Sequence, residues 1–138
     1  MAFTTQSTVL THAGVLAMLQ AGVRKAEEIE QPQCIVIVDA SGEVLGEIRM
    51  TGAKFLSRKS ARSKARTAAS IGGATTAIPE AVRPAIAAAT KGEMTGLGGG
   101  LPIRMGGVLL GGIGVGSGSP DQDLAVAGAA LEAIGADT

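Results

Sequence analysis

The sequence predicts an α+β fold, a three-layer α-β-α sandwich around a mainly antiparallel sheet of about five strands. Three observations predict it. The chain begins and ends in stretches whose apolar residues recur at three- and four-residue spacing, the period of an amphipathic helix. Two pairs of strand-like runs each close across a tight turn, and such hairpins build antiparallel sheet. The order helix, two strands, helices, two or more strands, helix leaves helices to cover both sheet faces.

Thr11 is placed to cap the first helix, which runs to about residue 30 along a stripe of Val15, Leu16, Leu19, Val23, Ala26 and Ile29. Pro32 stops it. Cys34-Ile-Val-Ile-Val38 is a continuous β-branched run, the pattern of a central strand buried on both faces. Asp39-Ala-Ser-Gly42 is a turn, and residues 44–50 return as the second arm of a hairpin. Residues 57–71 form a helix with small Ala61, Ala65, Ala68 and Ala69 on one side. Its other side carries Arg58, Lys59, Arg62, Lys64 and Arg66, and Gly72-Gly73 ends it. A helical piece over about 79–90 breaks or begins at Pro84. A glycine-rich loop over 93–100 leads to a second hairpin, 101–105 and 108–115, turning at Gly106-Gly107. Ser119, Pro120 and Gln122 fit the N-cap, N1 and N3 positions of a last helix through Leu124, Ala127, Leu131 and Ile134.

The 138 residues bound one domain without an internal repeat or linker. Hydrophobic residues make up 46%, yet there are 2 Phe, no Trp and no Tyr against 21 Gly. The core is therefore aliphatic and short of the large area that aromatics bury, and neighbouring subunits are expected to supply the difference. A base-stacking nucleic-acid partner needs aromatics that are absent, and the chain is neutral overall. One cysteine excludes an intrachain disulfide framework. No apolar run reaches the ~18 residues of a membrane-spanning helix, and the start has no secretory pattern, so the expected compartment is the cytoplasm.

Four segments resemble one family when read in order: Cys34-Ile-Val-Ile-Val-Asp-Ala-Ser-Gly42, Arg49-Met-Thr-Gly-Ala53, Lys64-Ala-Arg-Thr-Ala68, and Gly99-Gly-Leu-Pro-Ile103 with Gly112-Ile-Gly-Val-Gly-Ser-Gly118. Asp121-Gln-Asp123 fits too. The chain is similar, over about residues 10–134, to the GlcG/HbpS-like family, which includes haem-binding proteins and the C-terminal domain of PduO-type proteins. The resemblance implies a profilin-like sandwich. It also implies a homo-oligomer built from dimers, often to an octamer, with haem or another small molecule bound near a subunit interface. The chain departs from the family at Leu10-Thr-His12, where an acidic or aliphatic residue and a run of alanines are usual. It is also more basic on the helix after Ala53.

Several residues carry both a functional and a structural reading. His12, the only histidine, is either a haem ligand or acid–base group, or a solvated residue of the first helical turn. Cys34 is either an iron ligand or a small hydrophobe in a buried strand. Between Glu47 and Arg66 stand seven basic residues and one acid. Like charges at i,i+4, as in Arg58, Arg62 and Arg66, repel, so haem propionates, a small acid, a partner's carboxylates or plain solvation should offset them. Lys64, Arg66 and Thr67 lie in the family's Lys-Ala-x-Thr-Ala motif. The resemblance makes Thr67 an iron-side contact, whereas packing would bond its hydroxyl to the preceding turn. Gly99 and Gly100 lack the Gly-Lys-Ser/Thr ending of a phosphate loop and read as a flexible pocket rim.

Three functions compete. One is a haem-binding or haem-handling protein, with His12 or Cys34 on iron and the basic helix on propionates. The second is a cofactor-free enzyme acting on a small organic acid, epoxide or hydroxylated metabolite. There Arg49 or Arg66 would hold an anion, and Glu93 or His12 would move a proton. The third is a non-catalytic accessory subunit of a catabolic operon.

Overall fold

A computed structural model describes residues 1–138. The elements are α1 (His12–Glu28), β1 (Cys34–Asp39), β2 (Val44–Arg49), α2 (Ser57–Ile71), α3 (Arg83–Ala89), β3 (Gly100–Met105), β4 (Val108–Gly116) and α4 (Pro120–Ala133). Two short 3-10 turns, Thr75–Ala77 and Glu80–Val82, precede α3, which has Pro84 in its first turn. The predicted elements therefore form.

The sheet has the order β2-β1-β4-β3, antiparallel throughout. It has four strands where about five were expected. The glycine-rich segment before β3 adds one further ladder bond, Val115 N–H to Gly99 O at 2.9 Å. Gly99 then turns to φ +118, which ends any extended run there.

Strand alternation sorts the core into two layers. Ile35 and Ile37 of β1 face α1 and α4, where they meet Met18, Val126, Ala127 and Leu131. Cys34, Val36 and Val38 face α2, packing with Ala61, Ala65 and Ala69. The second layer is thin because α2 lies on backbone. A Cβ added at Gly112 or Gly114 of β4 would collide with the carbonyl oxygens of Ala65 or Ala61. Alanines on the helix and glycines on the strand are thus one device for close approach.

The ends of the helices follow their local chemistry. Thr11 Oγ1 accepts from Gly14 N–H at 3.2 Å and caps α1. Ser119 and Gln122 form the reciprocal capping box of α4, at 3.2 and 2.8 Å. The turn between β3 and β4 puts Gly106 and Gly107 at φ 58 and 81, the two positive values that a two-residue hairpin of this kind requires.

Candidate functional site

The predicted site residues fall into separate regions, divided by the sheet. On the α2 side, Arg66 Nη1 pairs with Glu93 Oε1 at 3.0 Å. The loop that carries Glu93 is pinned to α2. Ser63 Oγ donates to Gly92 O at 2.9 Å, and Thr67 Oγ1 donates to Glu93 O at 3.3 Å while accepting from Thr95 N–H at 3.0 Å. Thr67 is fully buried, so its hydroxyl anchors this loop rather than the preceding turn of its own helix. The Arg66 guanidinium also lies against the β1–β2 turn, where a Cβ on Gly42 would stand 3.3 Å from Nε. Between turn, helix and loop is a cleft of about 520 Å³ lined by Ser41, Gly42, Arg66, Ser70, Thr90, Glu93, Met94 and Leu109, among others.

Lys64, read from the sequence as part of the basic outer face, points inward. Its Nζ donates to Asp123 Oδ2 at 3.1 Å and Val115 O at 2.8 Å, and both side chains are less than a tenth exposed. Asp123 Oδ1 also accepts from Gly118 N–H at 3.1 Å. The correction has a plain cause: Lys64 is three residues after Ala61, on the same face of the helix. Asp123, which the sequence marks only as part of the family-like run Asp121-Gln-Asp123, is the buried counter-charge.

Gly99 and Gly100, expected at a flexible rim, are buried. A Cβ on Gly99 would stand 3.1 Å from Lys64 Nζ and 2.9 Å from Asp123 Cβ. Gly100 N–H donates to Thr75 Oγ1 at 3.3 Å. Both glycines let the chain cross over the buried ion pair.

On the α1 side, His12 is exposed in the first turn of the helix. Leu16, one turn on, is 64% exposed, and Val9 just before the helix is 71% exposed. Close by in sequence, residues 6–10 line a groove of about 690 Å³ with Asp39, Leu45 and Val108, Leu109 and Leu110. Asp39 shapes its turn as expected. A hydrogen bond from the Ser41 hydroxyl, with backbone N–H groups of the same turn, holds its carboxyl below the usual range.

Cys34 and Arg49 are cross-strand neighbours on β1 and β2. Cys34 is fully buried, its thiol donates to Lys54 O at 3.6 Å, and burial pushes its pKa up. Arg49 Nε donates to Ala53 O at 3.1 Å. Nowhere do three or more His, Cys, Asp or Glu side chains gather into a metal-binding group, and no helix is long and apolar enough to cross a membrane.

The family model described as "Haem degrading protein HbpS-like" matches residues 10–132. The chain belongs to the HbpS-like family. Among solved HbpS-like structures, a PduOC:heme complex superimposes with TM-score 0.88 at 30% identity, covering 95% of this chain and 99% of that one. A double mutant of HbpS from Streptomyces reticuli gives TM-score 0.83 at 32% identity over 94% of this chain and 89% of that one. The corrinoid adenosyltransferase PduO of Citrobacter freundii is 36% identical over 126 residues, which is 88% of this chain. The chain spans only 38% of that relative's length.

Proposed function

We propose that this chain is a cytoplasmic, homo-oligomeric haem-binding or haem-handling protein, with His12 as the side chain that meets the iron. The observation that carries the reading is the exposed imidazole of His12 beside exposed Leu16 at i+4, the same helix face. An axial nitrogen with apolar surface next to it fits haem, whose iron takes one or two protein ligands and whose ring is apolar. The solved haem complex of a family member, 30% identical, supports it. Cys34 is a poor second ligand, because burial keeps its thiol protonated and beneath α2.

The geometry also favours a site completed by a second copy. His12 lies on the α1 layer and Arg66 on the α2 layer, so propionates of a His12-bound haem are best met by cations of another subunit. The apolar face around Val9 and Leu16 is the kind of patch that marks an interface. Bound haem would supply redox and oxygen chemistry; His12 would orient it, and the apolar neighbours would exclude water.

Titrating the purified protein with haemin tests this directly. A Soret band at a stoichiometric endpoint is expected, and His12→Ala should shift its maximum or weaken haem retention. An unchanged spectrum and affinity in the variant would remove His12 from the site; no Soret band in the parent protein would sink the reading. Sedimentation equilibrium should show a species well above the 13.6 kDa of one chain. A monomer at micromolar concentration would refute the shared site.

A further inference from the structure

The Arg66–Glu93 pair separates two depressions and lines both. One is the 520 Å³ cleft described above. The other is a hollow of about 120 Å³ lined by Lys59, Arg62, Ser63, Arg66, Lys91, Gly92 and Glu93, with no hydrophobic residue. Four cations therefore surround one carboxylate. Of those four, only Arg66 is ion-paired; Lys59, Arg62 and Lys91 have no carboxylate within 4.0 Å. By contrast Arg58, on the same helix, is answered by Glu47 at 2.7 Å.

We infer that this cleft is a binding site for a small organic anion, with the Arg66 guanidinium as its anchor and Glu93 as the group the ligand displaces. The site is separate from the His12 face and does not depend on haem. Four features carry the inference together. Arg66 is the less exposed member of the pair, its side chain 28% exposed against 52% for Glu93, so the guanidinium stays and the carboxylate swings out. The loop bearing Lys91 and Glu93 is fixed by Ser63 and Thr67, which sets the cations before any ligand arrives. Lys91 and Gly92, at φ 55 and 80, end α3 in left-handed conformations and turn the loop back towards α2. Finally, the larger depression offers Ser41 and Ser70 with apolar Met94 and Leu109. That lining suits a short organic body with hydroxyls, attached to a carboxylate or phosphate that Arg66 grips through two parallel hydrogen bonds.

Size and charge exclude larger occupants. The chain is neutral overall, so the excess of cations here is local, and the depressions have the volume of a small molecule rather than of a polymer groove. The cleft itself is lined by one cation and one carboxylate, Arg66 and Glu93; the adjoining hollow adds Lys59, Arg62 and Lys91 behind Arg66, and that surplus favours a dianion over a monoanion.

Isothermal titration of the whole chain at fixed ionic strength tests the site, with inorganic phosphate, malonate and uncharged malonamide as probes. Saturable binding of phosphate or malonate is expected, and none of malonamide. Whichever anion binds more tightly identifies the headgroup chemistry. Arg66→Gln should weaken that binding about tenfold or more, the loss of a charge-assisted pair. Glu93→Gln should tighten it by removing the competing carboxylate. Arg58→Gln, engaged elsewhere with Glu47, should leave it unchanged. If Arg66→Gln does not fold, Lys91→Gln on the exposed rim replaces it, with a smaller loss expected. Absence of saturable binding of either anion overturns the proposal, as does an equal loss in the Arg58 and Arg66 variants. Haemin titration of Glu93→Gln keeps the two sites apart, because the Soret response of the parent should survive there and fail in His12→Ala.

Discussion

Replacing Asp123 by Ala is expected to cost about 3–5 kcal/mol of folding stability, the largest loss at any polar position of the chain. The carboxylate is the counter-charge of Lys64, and both side chains are almost fully buried between α2, β4 and the start of α4. Removing it leaves an ammonium in an apolar interior with only the Val115 carbonyl as acceptor. It also removes the acceptor of the Gly118 N–H. Native domains hold about 5–15 kcal/mol in total, so this one change should shift the urea midpoint far, measured at fixed protein concentration because an oligomer's stability depends on it. The double replacement Lys64→Met with Asp123→Leu should recover most of the loss, since a well-packed apolar pair can match a buried ion pair. A loss below about 1 kcal/mol for Asp123→Ala would mean that water reaches the pair, as at an exposed ion pair.

The second large effect is steric. Gly114→Ala should destabilise by about 2–4 kcal/mol, at or beyond the upper end of ordinary overpacking. The new methyl would collide with the Ala61 carbonyl oxygen and stand 2.5 Å from the Ala65 nitrogen. Neither atom can move by a rotamer change, so α2 must lift from the sheet. Gly128 provides the opposite sign. It lies inside α4 with nothing within 4 Å of an added Cβ, so Gly128→Ala should stabilise by about 1 kcal/mol through helix propensity alone. Thermal or urea melts of the two variants, side by side, separate the steric cost from any general dislike of alanine. Equal effects in both would refute the close-packing account.

Local signals made most of the fold legible. The span of α2 was readable because Gly72 stops it in a left-handed conformation at φ 65. The Ser119–Gln122 box was readable because its partners are three residues apart. The glycine turn of the β3–β4 hairpin had the same advantage. The candidate site was less legible, because its pairs are distant in sequence. Lys64 meets Asp123 59 positions away, and Arg66 meets Glu93 27 positions away. A count of charges along α2 could not tell a buried lysine from an exposed one, although the three-residue step from Ala61 to Lys64 carried that information. Gly99 and Gly100 misled for a related reason: a glycine chosen for close backbone approach looks, in sequence, like one chosen for freedom.

The contact of α2 with bare backbone has a consequence for how this protein can change. Side-chain cores give way under substitution, because neighbours adopt new rotamers and share the strain. The α2–β4 contact has no such slack at Gly112 and Gly114, since carbonyl oxygens of the helix rest over glycines of the strand. The helix is therefore indexed to the sheet as a rail to its bed. Ser63 and Thr67 pass that position on to the 92–95 loop. Variation in this region is then confined to what projects from the rail. Lys59, Arg62, Lys91 and Glu93 can be exchanged with little effect on stability, and sequence drift among relatives should alter which anion is held long before it alters where.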